Sequence, residues 1–226
     1  MVASTVRIGK TTILGFGSLL SEQSARLTFP DLEAFRLVKV RDYRRVFGHA
    51  AAIFFERGIA KQETKEFSSL SAEPSPGASF VACAFEVDLD EASWLRFEER
   101  EEEFDLKTVP FSPLADGDGG GEGVLCCRGS DDLFVQRWGA DLYEKKYRPH
   151  VPSIWDWAPD SGLRPCACYL RHCVLAVTKA GPAALDSFLD ETLLVDRETT
   201  VRTYLDANPY VMDTLPPESL IGRYSG

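Results

Sequence analysis

The sequence contains Leu14-Gly15-Phe16-Gly17-Ser18-Leu19-Leu20, in which a short apolar run breaks into a turn of glycine and serine. The apolar run is typical of a buried strand, and glycine lets the chain turn tightly after it. Such a turn exposes consecutive backbone N–H groups, which can hold a carboxylate or a carbonyl oxygen without a cationic side chain. The segment therefore predicts a strand that ends in an anion-holding turn.

A second informative feature is the acidic run Glu98-Glu99-Arg100-Glu101-Glu102-Glu103-Phe104-Asp105. The residues around it contain no glycine or proline and predict a helix. At about 100° per residue, Glu101 lies on the same side as Trp94 and Phe97. The side chains expected to project sideways or outward are those of Glu99, Arg100, Glu102 and Glu103. A carboxyl among aromatic side chains and other acids should have a raised pKa, so Glu101 is the candidate proton carrier.

Length and composition indicate a folded chain of one large domain, or one domain with an appendage. It has 226 residues, of which 44% are hydrophobic and 27% charged, and a net charge of −10. This charge disfavours nucleic acid and anionic membrane surfaces as partners, because both repel an acidic chain. We find no apolar run near the length of a membrane span, about 20 residues, and no secretory signal. The six cysteines fit free thiols of a reducing compartment, so we expect a cytoplasmic protein.

Hydrophobic patterning predicts strands in the first part of the chain and helices in the second. The predicted strands are residues 11–16, 35–47, 51–55, 80–87, 104–111 and 124–128. The predicted helices are residues 89–103, 132–147, 166–179, 182–194 and 196–207, and the predicted loops are 68–79 and 116–123. This order predicts an α+β fold in which residues 1–130 form one unit. Residues 131–226 are expected to form a helical C-terminal extension packed on it, possibly within one domain overall.

Three patterns resemble nucleotide or metal sites, but each lacks a required part. Gly9-Lys10-Thr11-Thr12 is not preceded by the glycine of a phosphate-binding loop. In a calcium loop that begins at Asp116, the twelfth position needs a bidentate glutamate, but it is Cys127. On a helix, Cys166 and Cys173 share a face while Cys168 points elsewhere, so these thiols do not form a tetrahedral zinc site. We therefore expect no nucleotide, metal or other cofactor at these patterns.

Three segments, taken in order, resemble the gamma-glutamylcyclotransferase-like family, and in particular its ChaC-like, glutathione-degrading branch. They are Phe16-Gly17-Ser18-Leu19, Asp42-Tyr43-Arg44-Arg45-Val46-Phe47, and Arg100-Glu101 followed by Phe104 and Val109-Pro110-Phe111. Their order, spacing and predicted secondary structure are similar to the family pattern over about residues 11–130. The position of Phe16 is often tyrosine in that family, so a hydrogen bond from a phenol is absent here.

The resemblance implies a small mixed β-barrel with helices packed around it. It implies that a γ-glutamyl compound, such as glutathione or a γ-glutamyl peptide, cyclises to 5-oxoproline and releases an amine or peptide. This reaction needs no metal and no cofactor, and its only implied partner is the small-molecule substrate. Catalysis falls on Glu101 as general base and acid, with Glu102 as the second choice because consecutive acids leave the match ambiguous by one position. The residues implied to bind the substrate are Gly15, Phe16, Gly17, Ser18, Leu19 and Leu20.

Two other functions stay open on the sequence alone. One is cleavage of γ-glutamylamines on the same fold, because the side chains that contact the leaving group cannot be placed. The other is a non-catalytic binding or scaffold protein. Residues 147–157 are rich in aromatic side chains and proline, and are either packing against the barrel or a lid that sets substrate choice.

Overall fold

In residues 9–114 and 119–226, which the computed structural model describes, seven strands form one mixed sheet with helices packed against it. The strands are β1 (Gly9–Gly15), β2 (Glu33–Ala50), β3 (Glu66–Leu89), β4 (Asp105–Pro113), β5 (Gly121–Cys127), β6 (Arg164–Pro165) and β7 (Thr192–Leu194). The helices of the first half are α1 (Glu22–Arg26), α2 (Ala52–Glu56) and α3 (Glu91–Arg100). Those of the second half are α4 (Asp131–Trp138), α5 (Ala140–Lys146), α6 (Ala167–Ala180), α7 (Pro182–Asp190), α8 (Val201–Ala207) and α9 (Tyr210–Asp213). Two 3₁₀ turns lie at Ser18–Leu20 and Glu218–Arg223. One mixed sheet with helices packed against it confirms the predicted α+β class.

The strand pairings form a closed circuit of five strands. β1 pairs with β3, β3 with β2, β2 with β4 and β4 with β5, all antiparallel. The circuit closes where β5 pairs in parallel with β1, at the partners Ile13↔Val124 and Leu14↔Leu125. The short strands β6 and β7 extend the sheet beside β3 and β2. The end of β1, where the glycine-serine turn begins, therefore lies between β3 and β5, which fix its direction.

One hydrophobic core includes residues from both sides of position 130. It contains Ile13 and Phe85 from the sheet together with Leu170 and Phe188 from α6 and α7. These side chains are at most 2% exposed, so removing either part of the chain would open the same core to water. The shared core favours one domain overall, and the division at residue 130 stays a prediction.

Two predicted elements are wrong. Residues 52–55 of the strand predicted over 51–55 belong to helix α2, because so short an apolar run has no clear period. Residues 68–79 were predicted as a loop from their serine, proline and glycine content, but they belong to β3 and pair with β2. Gly77 has φ of +83° there, and its N–H donates to Asp42 Oδ1 at 2.8 Å, where the register between the strands shifts.

The remaining predicted strands and helices are found, with different bounds. Helix 132–147 is divided into α4 and α5 at Gly139, whose φ is +92°. The helix predicted over 182–194 ends at Asp190, and its last residues form β7. The predicted helical extension therefore also contains two short strands. Residues 116–118 of the predicted loop 116–123 lie outside the described residues, as does the part of the phosphate-loop pattern before Gly9.

The aromatic segment 147–157 packs inside a second hydrophobic cluster. Tyr147 and Trp155 are each 1% exposed and contact Phe104 and Phe134 there. The indole N–H of Trp155 donates to the carbonyl oxygen of Glu103 at 3.1 Å. This burial supports the packing role and gives no support to the lid.

Three further predictions concern membranes, thiols and metals. In the described part of the chain, the helices are too short or too polar to cross a membrane. The six cysteines are free thiols, and five of them are buried. Within residues 9–114 and 119–226, no group of three or more His, Cys, Asp or Glu side chains is arranged to hold a metal ion.

A buried arginine ties the sheet to the helices. Arg45, on β2, is 0% exposed, and its Nη1 donates to the carbonyl oxygens of Val81 at 3.2 Å and Phe16 at 3.4 Å. Its Nη2 donates to Ser187 Oγ at 3.0 Å and to the carbonyl oxygen of the same residue. Burial lowers the pKa of Arg45 to about 9, and the charge of Glu191 opposes that effect, so the side chain is still cationic at pH 7.

We expect Arg45→Met to destabilise the fold by roughly 3 kcal/mol, because three buried carbonyl groups would lose their donor. Chemical denaturation would measure this loss. Arg41→Met is the matched control, since Arg41 is an exposed residue of the same strand and should change stability by less than about 0.5 kcal/mol. Equal stability of the two variants would contradict the role given to Arg45.

Candidate functional site

The acidic run lies at the end of helix α3. The helix begins at Asp90, whose side chain accepts a hydrogen bond from the N–H of Ser93 at 2.7 Å. It buries Trp94 and Phe97 and ends at Arg100. Glu101 follows with φ −103° and ψ 36°, which is not helical, so the chain turns at this residue. The turn directs the next carboxyl groups inward instead of around a helix.

The carboxyl groups of this turn and the glycine-serine turn line the same cavity. Its volume is about 330 Å³, within the range of small-molecule sites. Gly15–Leu19 form part of its wall, and Glu101–Glu103 form another part. Leu20 is fully buried in the main core, so we leave it out of the proposed site. The structure thus brings together five of the six residues expected to bind substrate with both candidates for catalysis.

The glycine-serine turn is held by its own hydrogen bonds and by close packing. Ser18–Leu20 form a single 3₁₀ turn in which the N–H of Leu20 donates to the carbonyl oxygen of Gly17 at 3.0 Å. A Cβ at Gly15 would lie 2.6 Å from Leu19 Cβ and 2.8 Å from Cys83 Sγ, so only glycine fits there. The first N–H groups of such a turn have no acceptor within the turn itself. Of these, the N–H of Ser18 faces the thiol of Cys173, a weak acceptor.

Glu101 is a partly buried carboxyl with opposing influences on its charge. Its side chain is 17% exposed, and its Oε1 lies 3.2 Å from Nε of Arg100. Burial raises the pKa of Glu101, whereas the charges of Arg100 and Arg223 and the thiol of Cys126 act in the opposite direction. The thiol donates to Glu101 Oε2 at 3.9 Å. The net effect is a raised pKa, as expected from the sequence for a proton carrier.

Glu102 and Glu103 are held by the neighbouring helix. Tyr147 Oη lies 3.0 Å from Glu102 Oε1 and 2.7 Å from Glu103 Oε1, and Lys146 Nζ lies 2.6 Å from Glu102 Oε1. A hydroxyl has one hydrogen and cannot fully satisfy two carboxylates. Burial raises the pKa of Glu103 to about 7, and the nearby charges of Glu102 and Glu101 act in the same direction, against the hydrogen bond from Tyr147.

The prediction that Glu102 and Glu103 project sideways or outward is therefore wrong. They are 9% and 8% exposed, because helix α3 ends before them and their positions do not follow helical spacing. The inward orientation of Glu101 is found, although the residue lies just beyond the helix from which its direction was predicted.

Several residues of the cavity wall were not identified from the sequence. Arg57, Tyr169, Arg223 and Tyr224 all line the cavity. Tyr169 Oη is 3.2 Å from where a Cβ at Gly17 would lie. The local patterns around these residues carry no signal of a site, because they reach the cavity from three separate parts of the chain.

The chain has detectable likeness to solved structures only. No protein-family model and no curated protein sequence matches it. An uncharacterized protein from Homo sapiens is 15% identical with a TM-score of 0.40, covering 64% of this chain and 89% of that one. A gamma-glutamyl cyclotransferase is 13% identical with a TM-score of 0.39, covering 65% and 91%. A yeast gamma-glutamyl cyclotransferase specific to glutathione is 10% identical with a TM-score of 0.49, covering 91% and 96%. These structures include members of the family that the sequence resembles.

The buried Glu103 carboxyl should make stability depend on pH. Between pH 4.5 and about 7 the folded protein keeps a proton that the unfolded chain has lost, so this group's contribution to stability falls as pH rises through that window. Glu103→Gln removes the titration, and its stability relative to the unsubstituted protein should increase by about 2–3 kcal/mol from pH 5 to pH 8. Denaturation at the two pH values measures this, with the exposed Glu63→Gln as control. A difference that does not change with pH would contradict the assignment.

Proposed function

We propose that this protein is a γ-glutamyl cyclotransferase that converts a γ-glutamyl compound to 5-oxoproline and releases the amine or peptide. The observation that carries the proposal is one cavity in which the inward carboxyl of Glu101 and the turn Gly15–Leu19 both form the wall. The motifs that resemble the cyclotransferase-like family supply these same two elements. A proton carrier and a set of backbone donors are what an intramolecular cyclisation needs.

In the proposed mechanism the turn binds the γ-glutamyl group, and Glu101 takes a proton from its α-ammonium. The freed amine attacks the γ-carbonyl carbon and closes a five-membered ring, while N–H groups of Gly17–Leu19 stabilise the oxyanion. Glu101 returns its proton to the nitrogen of the leaving group as that C–N bond breaks. The second proton of the attacking nitrogen passes to the released amine, which leaves as an ammonium. Because nucleophile and electrophile belong to one molecule, the protein chiefly holds the substrate bent and moves protons.

The contacts of the three consecutive acids support Glu101 over Glu102. Glu102 is paired with Lys146 and accepts a hydrogen bond from Tyr147. Protonating Glu102 during catalysis would remove the charge that these partners stabilise, which is costly. Glu101 contacts Arg100 and Cys126 and keeps a raised pKa. Glu103 also has a raised pKa, but its carboxyl accepts a hydrogen bond from Tyr147 and its backbone carbonyl accepts one from Trp155. We therefore assign the proton transfer to Glu101.

We also propose two coarser features that accompany this function. The closed circuit of β1, β3, β2, β4 and β5 is consistent with the small barrel that the resemblance implies. A reducing cytoplasmic location is consistent with six free cysteines.

The test is release of 5-oxoproline, measured by mass spectrometry, from a panel of glutathione, γ-glutamyl dipeptides and γ-glutamylamines. Glu101→Gln should lower kcat about 10²–10⁴-fold, because it removes the proton carrier. Glu102→Gln and Glu103→Gln are matched controls of the same chemistry in the same wall, and we expect each to lose less than tenfold.

Two outcomes would contradict this assignment. A loss in Glu102→Gln or Glu103→Gln as large as that in Glu101→Gln would move the catalytic role. No release from any member of the panel by the folded, unsubstituted protein would favour a non-catalytic binding protein.

A further inference from the structure

Three guanidinium groups lie in the wall of the cavity, and each comes from a different part of the chain. Arg57 follows helix α2, Arg100 ends α3, and Arg223 ends the 3₁₀ turn Glu218–Arg223. Arg57 is half-buried, whereas Arg100 and Arg223 are exposed at the rim. The protein carries a net charge of −10, so this positive cluster does not reflect its overall charge.

The three arginines differ in their partners. Arg100 is paired with Glu101 at 3.2 Å. Within residues 9–114 and 119–226, no acidic side chain lies within ion-pair distance of Arg57 or Arg223. Arg57 donates to Tyr224 Oη at 2.8 Å and lies over the same ring. That contact orients the Arg57 guanidinium but leaves its charge unbalanced.

Arg57 and Arg223 therefore lie near Arg100 in a cavity wall that also contains Glu101, but neither forms an ion pair with an acid of the described residues. Burial lowers the pKa of Arg223, and the charges of Arg57 and Arg100 lower it further, against the smaller opposing effect of Glu101. Arg223 lies at the rim of the cavity beside two like charges, where it can reach both water and a bound ligand. A bound anion would relieve the repulsion, and arginine is suited to carboxylates because its planar group donates two parallel hydrogen bonds.

We propose that Arg57 and Arg223 bind the carboxylate of the leaving group, so that the preferred substrates are γ-glutamyl amino acids or peptides rather than γ-glutamylamines. This inference rests on the proposed cyclotransferase function. The α-ammonium that Glu101 deprotonates is on the same carbon as the substrate's α-carboxylate. Arg100 pairs with Glu101, so we expect Arg100 to be the cation nearest to that α-carboxylate. Arg57 and Arg223 are then left for a second carboxylate. A γ-glutamyl peptide has that second carboxylate, and a γ-glutamylamine lacks it.

The decisive substrates are γ-glutamylalanine and γ-glutamylethylamide, which differ only in the carboxylate of the leaving group. We expect the unsubstituted protein to prefer γ-glutamylalanine by about tenfold to a hundredfold in kcat/KM. Arg57→Gln and Arg223→Gln should each reduce this preference towards one, mainly through a higher KM for γ-glutamylalanine. Arg57→Lys keeps the charge and should restore part of the preference. Arg202→Gln, an exposed arginine paired with Asp190, is the control and should leave the preference unchanged.

Two results would overturn the inference while leaving the cyclotransferase in place. One is turnover of both compounds without preference. The other is an equal loss on both compounds in the arginine variants, which would assign Arg57 and Arg223 to the shared α-carboxylate or to the fold.

Calorimetric binding of the same two compounds to Glu101→Gln separates this inference from the proposed function. Tighter binding of γ-glutamylalanine that is lost on adding Arg57→Gln supports the carboxylate site, even if the unsubstituted protein releases no 5-oxoproline and the cyclotransferase proposal fails. Equal binding of the two compounds overturns the carboxylate site whatever the turnover shows.

Discussion

The buried guanidinium of Arg45 is the contact on which the site depends. A charge in the core is costly unless hydrogen bonds satisfy it, and here the partners come from three separate elements. Arg45 joins the carbonyl oxygens of Phe16 and Val81 to Ser187 on α7, and the rings of Phe80 and Phe188 cover its faces. Because Phe16 directly precedes the glycine-serine turn, the same contact that joins helix to sheet also fixes the direction in which the turn leaves β1. The segment Asp42-Tyr43-Arg44-Arg45, which carries part of the family resemblance, therefore contributes its second arginine to positioning.

A second constraint is the early end of helix α3. Had the helix continued through the acidic run, successive carboxyl groups would point in directions about 100° apart, and at most one would face inward. Because the helix ends at Arg100, residues 101–103 turn together towards the cavity and the cluster around Tyr147. Burying consecutive acids requires compensation, which Lys146 supplies to Glu102 and a retained proton supplies to Glu103. Glu101 is left as the acid with the weakest contacts, and it lines the cavity in which a ligand can bind.

The sequence predicted what is local and missed what depends on distant pairing. The turn after β1 and the inward Glu101 follow from short patterns, and both lie where expected. Segment 68–79 has the composition of a loop, yet it is a strand because the long partner β2 supplies hydrogen bonds along it. Composition cannot report such a partner. Arg57 and Arg223 were missed for the same reason, since their place in one wall exists only after the chain has folded.

The cavity joins substrate binding to proton transfer through charge. Arg100 and Arg223 both lower the pKa of Glu101, while burial raises it. A carboxylate bound at Arg223 would offset part of that positive charge, so the pKa of Glu101 would rise when such a substrate is present. A more basic Glu101 is better able to take a proton from the substrate's ammonium, whose own pKa is higher than that of an ordinary carboxyl. The leaving-group carboxylate would thus improve the base as well as the binding, and no movement of the fold is needed for this coupling.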